Sequence, residues 1–405
     1  MESHFTSKFF TGNRERLRES YEGELVVVTA NGLLQRGADS AYGFAQDANF
    51  WYLTGLDEPD VILVLADSEE YLILPEQSDY QKIFDGSAPE SELTKRSGVK
   101  AVFGYDEGWA RLAAAMKKAR RLGTVMPPPA YVGLYGMYTN PARRGLVEKL
   151  KDRQTGLKID DITPKLALQR MIKQPEEISA IRAAIDVTVA SLKDAFKQKY
   201  SHEYELEAEI TAGFRRRGAA GHAFEPIVAA GRRACTLHNV ANDAPIGQSE
   251  AVVVDVGAEV EHYAADITRT VVFGRPSARQ RAVYEAVLAV QDFAIGLLKP
   301  GMSFEAYRDQ TDSLMGEKLR GLGLIKNTDQ QSVRRYYPHS ISHFLGLNVH
   351  DAGDYARPLQ AGTILTVAPG IYIPEEGIGV RIEDDILITE KGHEVLSNDL
   401  PRKLG

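Results

Sequence analysis

The chain has 405 residues, long enough for two domains, with 43% hydrophobic and 26% charged residues, the composition of a soluble globular protein rather than a disordered one. A net charge of −8 argues against nucleic-acid binding, which needs a basic face, and a single cysteine, Cys235, excludes an internal disulfide and a thiolate metal cluster. The N-terminal residues lack the apolar stretch of a signal peptide, and no segment approaches the length of a membrane span, so a cytoplasmic protein without membrane or nucleic-acid partners is expected.

In chain order, short apolar runs at Leu25–Thr29, Phe50–Leu53, Val61–Ala66 and Tyr71–Leu74 are bounded by turn residues and read as strands. Arg111–Arg121 (RLAAAMKKARR) reads as a helix with a basic, solvated face. Pro127–Pro129 and Thr155–Pro164 punctuate the chain, and the domain boundary is set at 165/166. This gives a smaller mixed α/β domain over 1–165 and an α+β domain over 166–405. Beyond the boundary, Pro175, Glu176 and Glu177 open a helix whose buried stripe runs through Ile178, Ile181, Ile185, Val189, Leu192 and Phe196. Further helices carry Leu206, Ile210 and Phe214, then Val283 to Leu297, the latter opened by Ser277 and Gln280 at capping-box spacing and stopped at Pro300-Gly301. Strand-like runs at Val252–Val254, Ile267–Phe273, Ile364–Val367 and Ile386–Ile388 are grouped rather than alternating with helices, which predicts a largely antiparallel sheet.

Chemistry concentrates in three segments. In residues 251–273, Asp255 closes a run of valines and Asp266 opens a second β-branched run after a polar turn, a predicted hairpin with a carboxylate on each arm. Carboxylates among apolar strands cost several kcal/mol unless compensated by a cation. Pairing of Asp266 with Arg269 is the alternative. In residues 336–353, His339, His343 and His350 cluster in a chain with only nine histidines, at a spacing that lacks the glutamate of the H-E-x-x-H zinc motif. In residues 362–388, Arg381 and Glu383 alternate on one strand face, as a salt bridge or as a ligand beside a substrate-binding arginine. A weaker signal is His238, in the small-residue loop FEPIVAAGRRACTLHNVAND.

Together with NFWYLTGLDEPD (49–60) and KQPEEISAIRAA (173–184), these segments resemble the proline-specific metallopeptidases, aminopeptidase P, prolidase and their methionine-aminopeptidase and creatinase relatives, over nearly the whole chain. The resemblance implies a pita-bread fold in the C-terminal domain and a two-ion metal site. Asp255 would chelate one ion, Asp266 and Glu383 bridge both, and His343 hold the second. It makes His238 and His350 substrate-binding histidines near the scissile bond, and His339, Tyr372 and Arg381 the proline pocket. It also implies peptide substrates with proline second and a homodimer or homotetramer. Oxygen-rich ligation with one imidazole favours Mn²⁺, with Co²⁺ or Zn²⁺ possible. One position departs from the pattern: Thr366-Val367-Ala368-Pro369-Gly370 carries alanine where the family has a catalytic, metal-binding glutamate. Impaired Xaa-Pro aminopeptidase activity is therefore expected, with Glu375 or Glu376 the nearest substitutes. The alternatives are a prolidase, for which Arg357 or Arg381 would hold the dipeptide carboxylate, and a non-catalytic peptide-binding module.

Overall fold

The computed structural model describes residues 3–66, 69–128, 136–154 and 156–404. The chain divides into two compact units, Met1–Gln169 and Arg170–Gly405. The sequence boundary at 165/166 falls inside the same helix, Thr163–Met171, as this division. Of the predicted punctuation, Pro129 and Thr155 lie outside the described residues.

The first unit is built on a six-stranded mixed sheet in the order Ala101–Phe103, Glu70–Ile73, Ile62–Ala66, Leu25–Thr29, Arg121–Thr124, Lys158–Asp161. Leu25–Thr29 is buried along its length, pairing antiparallel with Ile62–Ala66 and parallel with Arg121–Thr124. Two readings are corrected here. Phe50–Leu53 is helical, within Ala48–Thr54: Asp47 accepts from Asn49 N and Phe50 N at one end, and Gly55 takes a left-handed conformation at the other. Bracketed by both caps and buried on every side, an aromatic run forms a short helix despite its strand propensity. The helix expected over 111–121 spans Tyr105–Met116, and Arg121 already begins a strand, so the basic stretch lies largely beyond the helix.

The second unit places helices against small antiparallel sheets. Pro175–Ala195 starts with proline at its first turn and a Gln174–Glu177 capping box, and Ala278–Leu297 starts with the Ser277–Gln280 box. One sheet has the order Ile227–Ala230, Val252–Val256, Ile267–Val271, and another has Ile364–Val367, Asp384–Thr389, Gly392–Val395. Gly370–Ile373 and Ile378–Arg381 form a two-stranded ribbon. Val283, Val287 and Val290 pack on Ile371, Ile373, Ile378 and Val380 of that ribbon, while Ala294 and Ile295 join Phe344, Leu365, Val367 and Ile386. Apolar faces thus leave the polar residues of the same strands to line the opposite side.

Val252–Val256 and Ile267–Val271 do pair, with Asp255 opposite Thr268, but they are not a simple hairpin. Between them, Ala258–Val260 and Tyr263–Ala264 form their own hairpin in a separate sheet with Gly221–His222. Positive φ at Glu261 and His262 makes the tight turn that turns the chain back. At Gly257 the two arms pass so closely that a Cβ would sit 1.6 Å from the Ala265 carbonyl oxygen. Because backbone there cannot yield cheaply, Gly257→Ala is expected to destabilise the protein by about 3 kcal/mol or more, measured by urea unfolding. A loss under about 0.5 kcal/mol, the range of an ordinary surface change, would show that this crossing does not constrain the fold.

Candidate metal centre and its recess

Asp255 reaches the site from the middle of the Val252–Val256 strand, and Asp266 from the residue just before Ile267–Val271. Glu383 bridges to Thr268 immediately before the Asp384–Thr389 strand, and His343 lies on the segment that bonds to Thr366 N through its own carbonyl. The three carboxylates are buried, and His343 is half-buried. Asp266, His343 and Glu383 each bring a donor atom within 4.8 Å of the others. His343 Nε2 stands 3.3 Å from Asp266 Oδ2 and 3.8 Å from Glu383 Oε1.

Hydrogen-bond directions sharpen this picture. His343 Nδ1 lies 3.1 Å from the Phe344 carbonyl, which can only accept, so in the neutral ring the Nε2 lone pair faces the two carboxylates. Asp255 Oδ1 and Asp266 Oδ1 are buried without a donor. Acceptors facing acceptors in a buried space are the donor set of a cation site. Burial, then the nearby Asp255, raises the Asp266 pKa well above the ordinary carboxylate range, against the opposing pull of Arg381. Glu383 is raised likewise, by burial and then by Asp266 and Asp255, with His343 and Arg381 opposing.

Arg381, at the end of Ile378–Arg381, links this centre to an aromatic wall. Its Nη2 donates to Asp255 Oδ2 at 2.6 Å, its Nη1 to Tyr372 Oη at 3.0 Å and its Nε to Thr268 Oγ1 at 3.3 Å. His339 Nδ1 faces the Ser340 carbonyl at 2.9 Å and therefore carries the proton, leaving Nε2 to accept from the Tyr372 hydroxyl at 2.8 Å. A directed chain results, from Arg381 through Tyr372 to His339. Burial lowers the His339 pKa to about 3, which keeps the ring neutral as that chain requires. His350 stands edge to face with His343, ring centroids 4.3 Å apart. It lies exposed at the rim, its pKa lowered to about 4 by lost hydration and then by His343 and His238. His238 is exposed on the turn after Gly231–Cys235.

His238, His339, His343, His350, Tyr372 and Arg381 are thus tied by contact or charge to the region of Asp255, Asp266 and Glu383, whereas Ala368, Arg357, Glu375 and Glu376 make other contacts. Ala368 is buried between Ile364–Val367 and Gly370–Ile373, its N–H donating to the Ile341 carbonyl at 2.8 Å. Neither alternative ion pair forms: Arg269 binds Asp384 at 2.7 Å rather than Asp266, and Arg381 binds Asp255 rather than Glu383. Glu375 and Glu376 are engaged with Arg335 and Arg279 at the surface. Two contributors were missed. The Thr268 hydroxyl donates to Glu383 Oε2 at 2.9 Å, and Asp385 Oδ2 accepts from Asp266 N at 3.1 Å. Both are two residues along a strand from a proposed ligand, Asp266 and Glu383 respectively, and strand alternation puts such residues on the same face.

Comparison with known proteins agrees with this construction. The pattern of Metallopeptidase family M24 matches residues 179–390, and that of the Aminopeptidase P N-terminal domain matches 10–125. Xaa-Pro aminopeptidase 3 of Homo sapiens is 34% identical over 96% of this chain and 81% of its own. Xaa-Pro aminopeptidase of Haemophilus influenzae is 34% identical over 91% and 89%. The structure of Escherichia coli aminopeptidase P with the inhibitor Pro-Leu superposes with a TM-score of 0.88 at 30% identity, covering 98% of this chain and 96% of that one. The chain belongs to metallopeptidase family M24, with a pita-bread C-terminal unit and a smaller mixed α/β N-terminal unit. No helix among the described residues is long and apolar enough to cross a membrane.

The raised Asp266 and Glu383 values make the centre a proton store in the metal-free protein. Mn²⁺ binding near neutral pH should release protons, seen calorimetrically as an enthalpy that varies with the ionisation heat of the buffer. Because the folded state here binds more protons than the unfolded one, these two groups stabilise the metal-free protein at low pH. That contribution is lost as pH rises from about 4 through their raised values. A binding enthalpy identical in all buffers would show the carboxylates already ionised.

Proposed function

We propose that the chain is an Xaa-Pro peptidase of the aminopeptidase type, acting on peptides with proline in second position, and that Ala368 limits its turnover. The observation that carries this reading is the junction between the carboxylate–His343 cluster and the Arg381–Tyr372–His339 chain, made by the Arg381–Asp255 bond of 2.6 Å. A hydrolytic centre and a shaped wall beside it are what cleavage next to proline requires. The Xaa-Pro bond is a tertiary amide with no N–H to grip, so recognition falls to surfaces that fit the ring. The names of the relatives and the Pro-Leu dipeptide in the Escherichia coli structure support the same substrate class.

In this reading Asp255, Asp266, Glu383 and His343 are the residues that would hold the metal. Mn²⁺ is the preferred ion for so oxygen-rich a set, with Co²⁺ or Zn²⁺ as alternatives. When bound, such ions supply Lewis acidity, polarising a carbonyl and lowering the pKa of a water. The chain itself orients the substrate: His339, Tyr372 and Arg381 frame the proline ring, and His238 and His350 meet the peptide near the scissile bond. Arg381, bonded to both Tyr372 and Asp255, keeps the proline wall in register with the ligand.

Charge explains the cost of Ala368. Asp255, Asp266 and Glu383 supply three negative charges and the adjoining Arg381 one positive, a balance of −2 that matches one divalent ion rather than two. Beside His343, only Asp266, Glu383 and the imidazole itself would remain to hold an ion. Glu375 and Glu376, the substitutes expected from the sequence, are not free for the proton work of the missing glutamate, since they pair with Arg335 and Arg279. The prolidase alternative is disfavoured for a similar reason: Arg381 is committed to Asp255 and Tyr372, and Arg357 pairs with Asp354. A purely binding role is disfavoured by the retention of four ligand positions.

At modest Mn²⁺ concentration the chain should hold about one ion, through Asp255, Asp266 and Glu383. Ala368→Glu should raise the bound metal toward two ions and turnover of an Xaa-Pro tripeptide by roughly 10–100-fold, followed by elemental analysis and peptide assay. Two tightly held ions in the unsubstituted chain, with turnover indifferent to the substitution, would reject this account.

A further inference from the structure

Behind the recess lies a group of buried charges with no part in the site assigned above. Asp351, the residue after His350, accepts from Arg170 Nη2 through Oδ1 and from Lys173 Nζ at 3.2 Å through Oδ2. The side chains of Arg170, Lys173 and Asp351 are 2%, 0% and 2% exposed, so water screens none of them. Glu177, also buried, accepts from Tyr263 Oη and Gln174 N, each at 2.9 Å, and feels the charge of Lys173. Two cations therefore face two carboxyl groups in the interior.

Burying such a set costs desolvation that apolar side chains would avoid, so net stability is a weak reason for it. Its neighbours indicate a geometric one. Asp351 N donates to the Phe344 carbonyl at 2.9 Å, and Asn348 N donates to Asp351 Oδ1 at 3.3 Å, closing the loop between His343 and His350 on itself. Gly346 sits so tightly against Asp351 that a Cβ there would be 2.2 Å from Oδ2. The same loop accepts Ala264 N at the Gly346 carbonyl, 2.9 Å away, two residues before Asp266, and the adjacent Tyr263 is the residue bound to Glu177. One charge cluster thus grips both the histidine loop and the segment that delivers Asp266.

We infer that Asp351, clamped by Arg170 and Lys173, is a positioning residue that fixes His343 and His350 relative to each other and to Asp266. The inference rests on the metal-centre reading for its consequence, but its geometry can be read without metal. The test uses the full chain labelled with ¹⁵N-histidine, metal-free, comparing ring resonances of wild type, Asp351→Asn, Lys173→Met and Lys173→Arg. Asp351→Asn and Lys173→Met should shift or broaden the His343 and His350 signals, leave those of the distant His202 and His393 in place, and weaken Mn²⁺ binding by roughly tenfold or more. Lys173→Arg, which keeps the cation, should restore most of both. Should Asp351→Asn fail to fold, Lys173→Met decides, because it leaves the Arg170 pair intact. Unchanged His343 and His350 spectra with Mn²⁺ affinity within twofold of wild type would overturn the inference. If wild type itself bound no Mn²⁺, the metal-centre reading would fall, while the ring spectra would still decide whether Asp351 positions the loop.

Discussion

The structure is organised around an electrostatic conflict: Asp255, Asp266 and Glu383 crowd their carboxyl groups into one buried space. Like charges in a poorly hydrated interior repel strongly, and without compensation the groups must hold protons or draw in cations. The surrounding chain supplies part of the answer. Arg381 neutralises one oxygen of Asp255, and the Thr268 hydroxyl donates to Glu383. The donor-free oxygens of Asp255 and Asp266 are left for something the polypeptide does not provide. A fold that tolerates this conflict must be rigid elsewhere, and the Val252–Val256 and Asp384–Thr389 strands beside it are buried and paired in register on both sides.

Arg381 carries the conflict outward to Tyr372 and, through it, to His339. Its guanidinium is planar, permanently charged and able to serve several acceptors at fixed angles, which lysine could not do. One donor goes to Asp255 and another to the Tyr372 hydroxyl, which in turn donates a hydrogen bond to His339 Nε2. The position of the aromatic wall is therefore set by the same charge that steadies the carboxylate cluster. Under the proposed reading, a substrate seated against Tyr372 and His339 would be placed by bonds that end at Asp255, coupling the fit of the ring to the location of the reacting groups.

The sequence made much of this legible because its strongest signals were local. Capping boxes at Ser277–Gln280, proline at the start of Pro175–Ala195 and valine runs ending in aspartate each declare themselves within a few residues. The proposed ligands were found for the same reason: polar residues in apolar strands are conspicuous. Phe50–Leu53 was misread because strand propensity was weighed without the Asp47 and Gly55 caps that settle its helix. The excursion between Asp255 and Asp266 was missed because the positive φ values at Glu261 and His262 fall on residues that rarely adopt them. The Arg170–Lys173–Asp351 cluster was beyond reach, since its members are brought together only by tertiary folding across the whole second unit.

Ala368 illustrates how fold and chemistry separate. The backbone around it is secured by bonds that ignore side-chain identity: Thr366 N to the His343 carbonyl, Ala368 N to the Ile341 carbonyl, and Val367 opposite Asp384 in the sheet. Alanine at this position leaves that ladder complete, so the histidine segment and the strand bearing Asp384 keep their places. Under the proposed reading, what disappears is one negative charge and one proton acceptor, neither of which the ladder needs. Asp266 and Glu383 then relieve the repulsion by holding protons more tightly, a solution that suits folding and opposes metal binding. The same burial that makes the site a ligand set for a cation also makes it sensitive to the loss of a single acid, because buried charges are poorly screened.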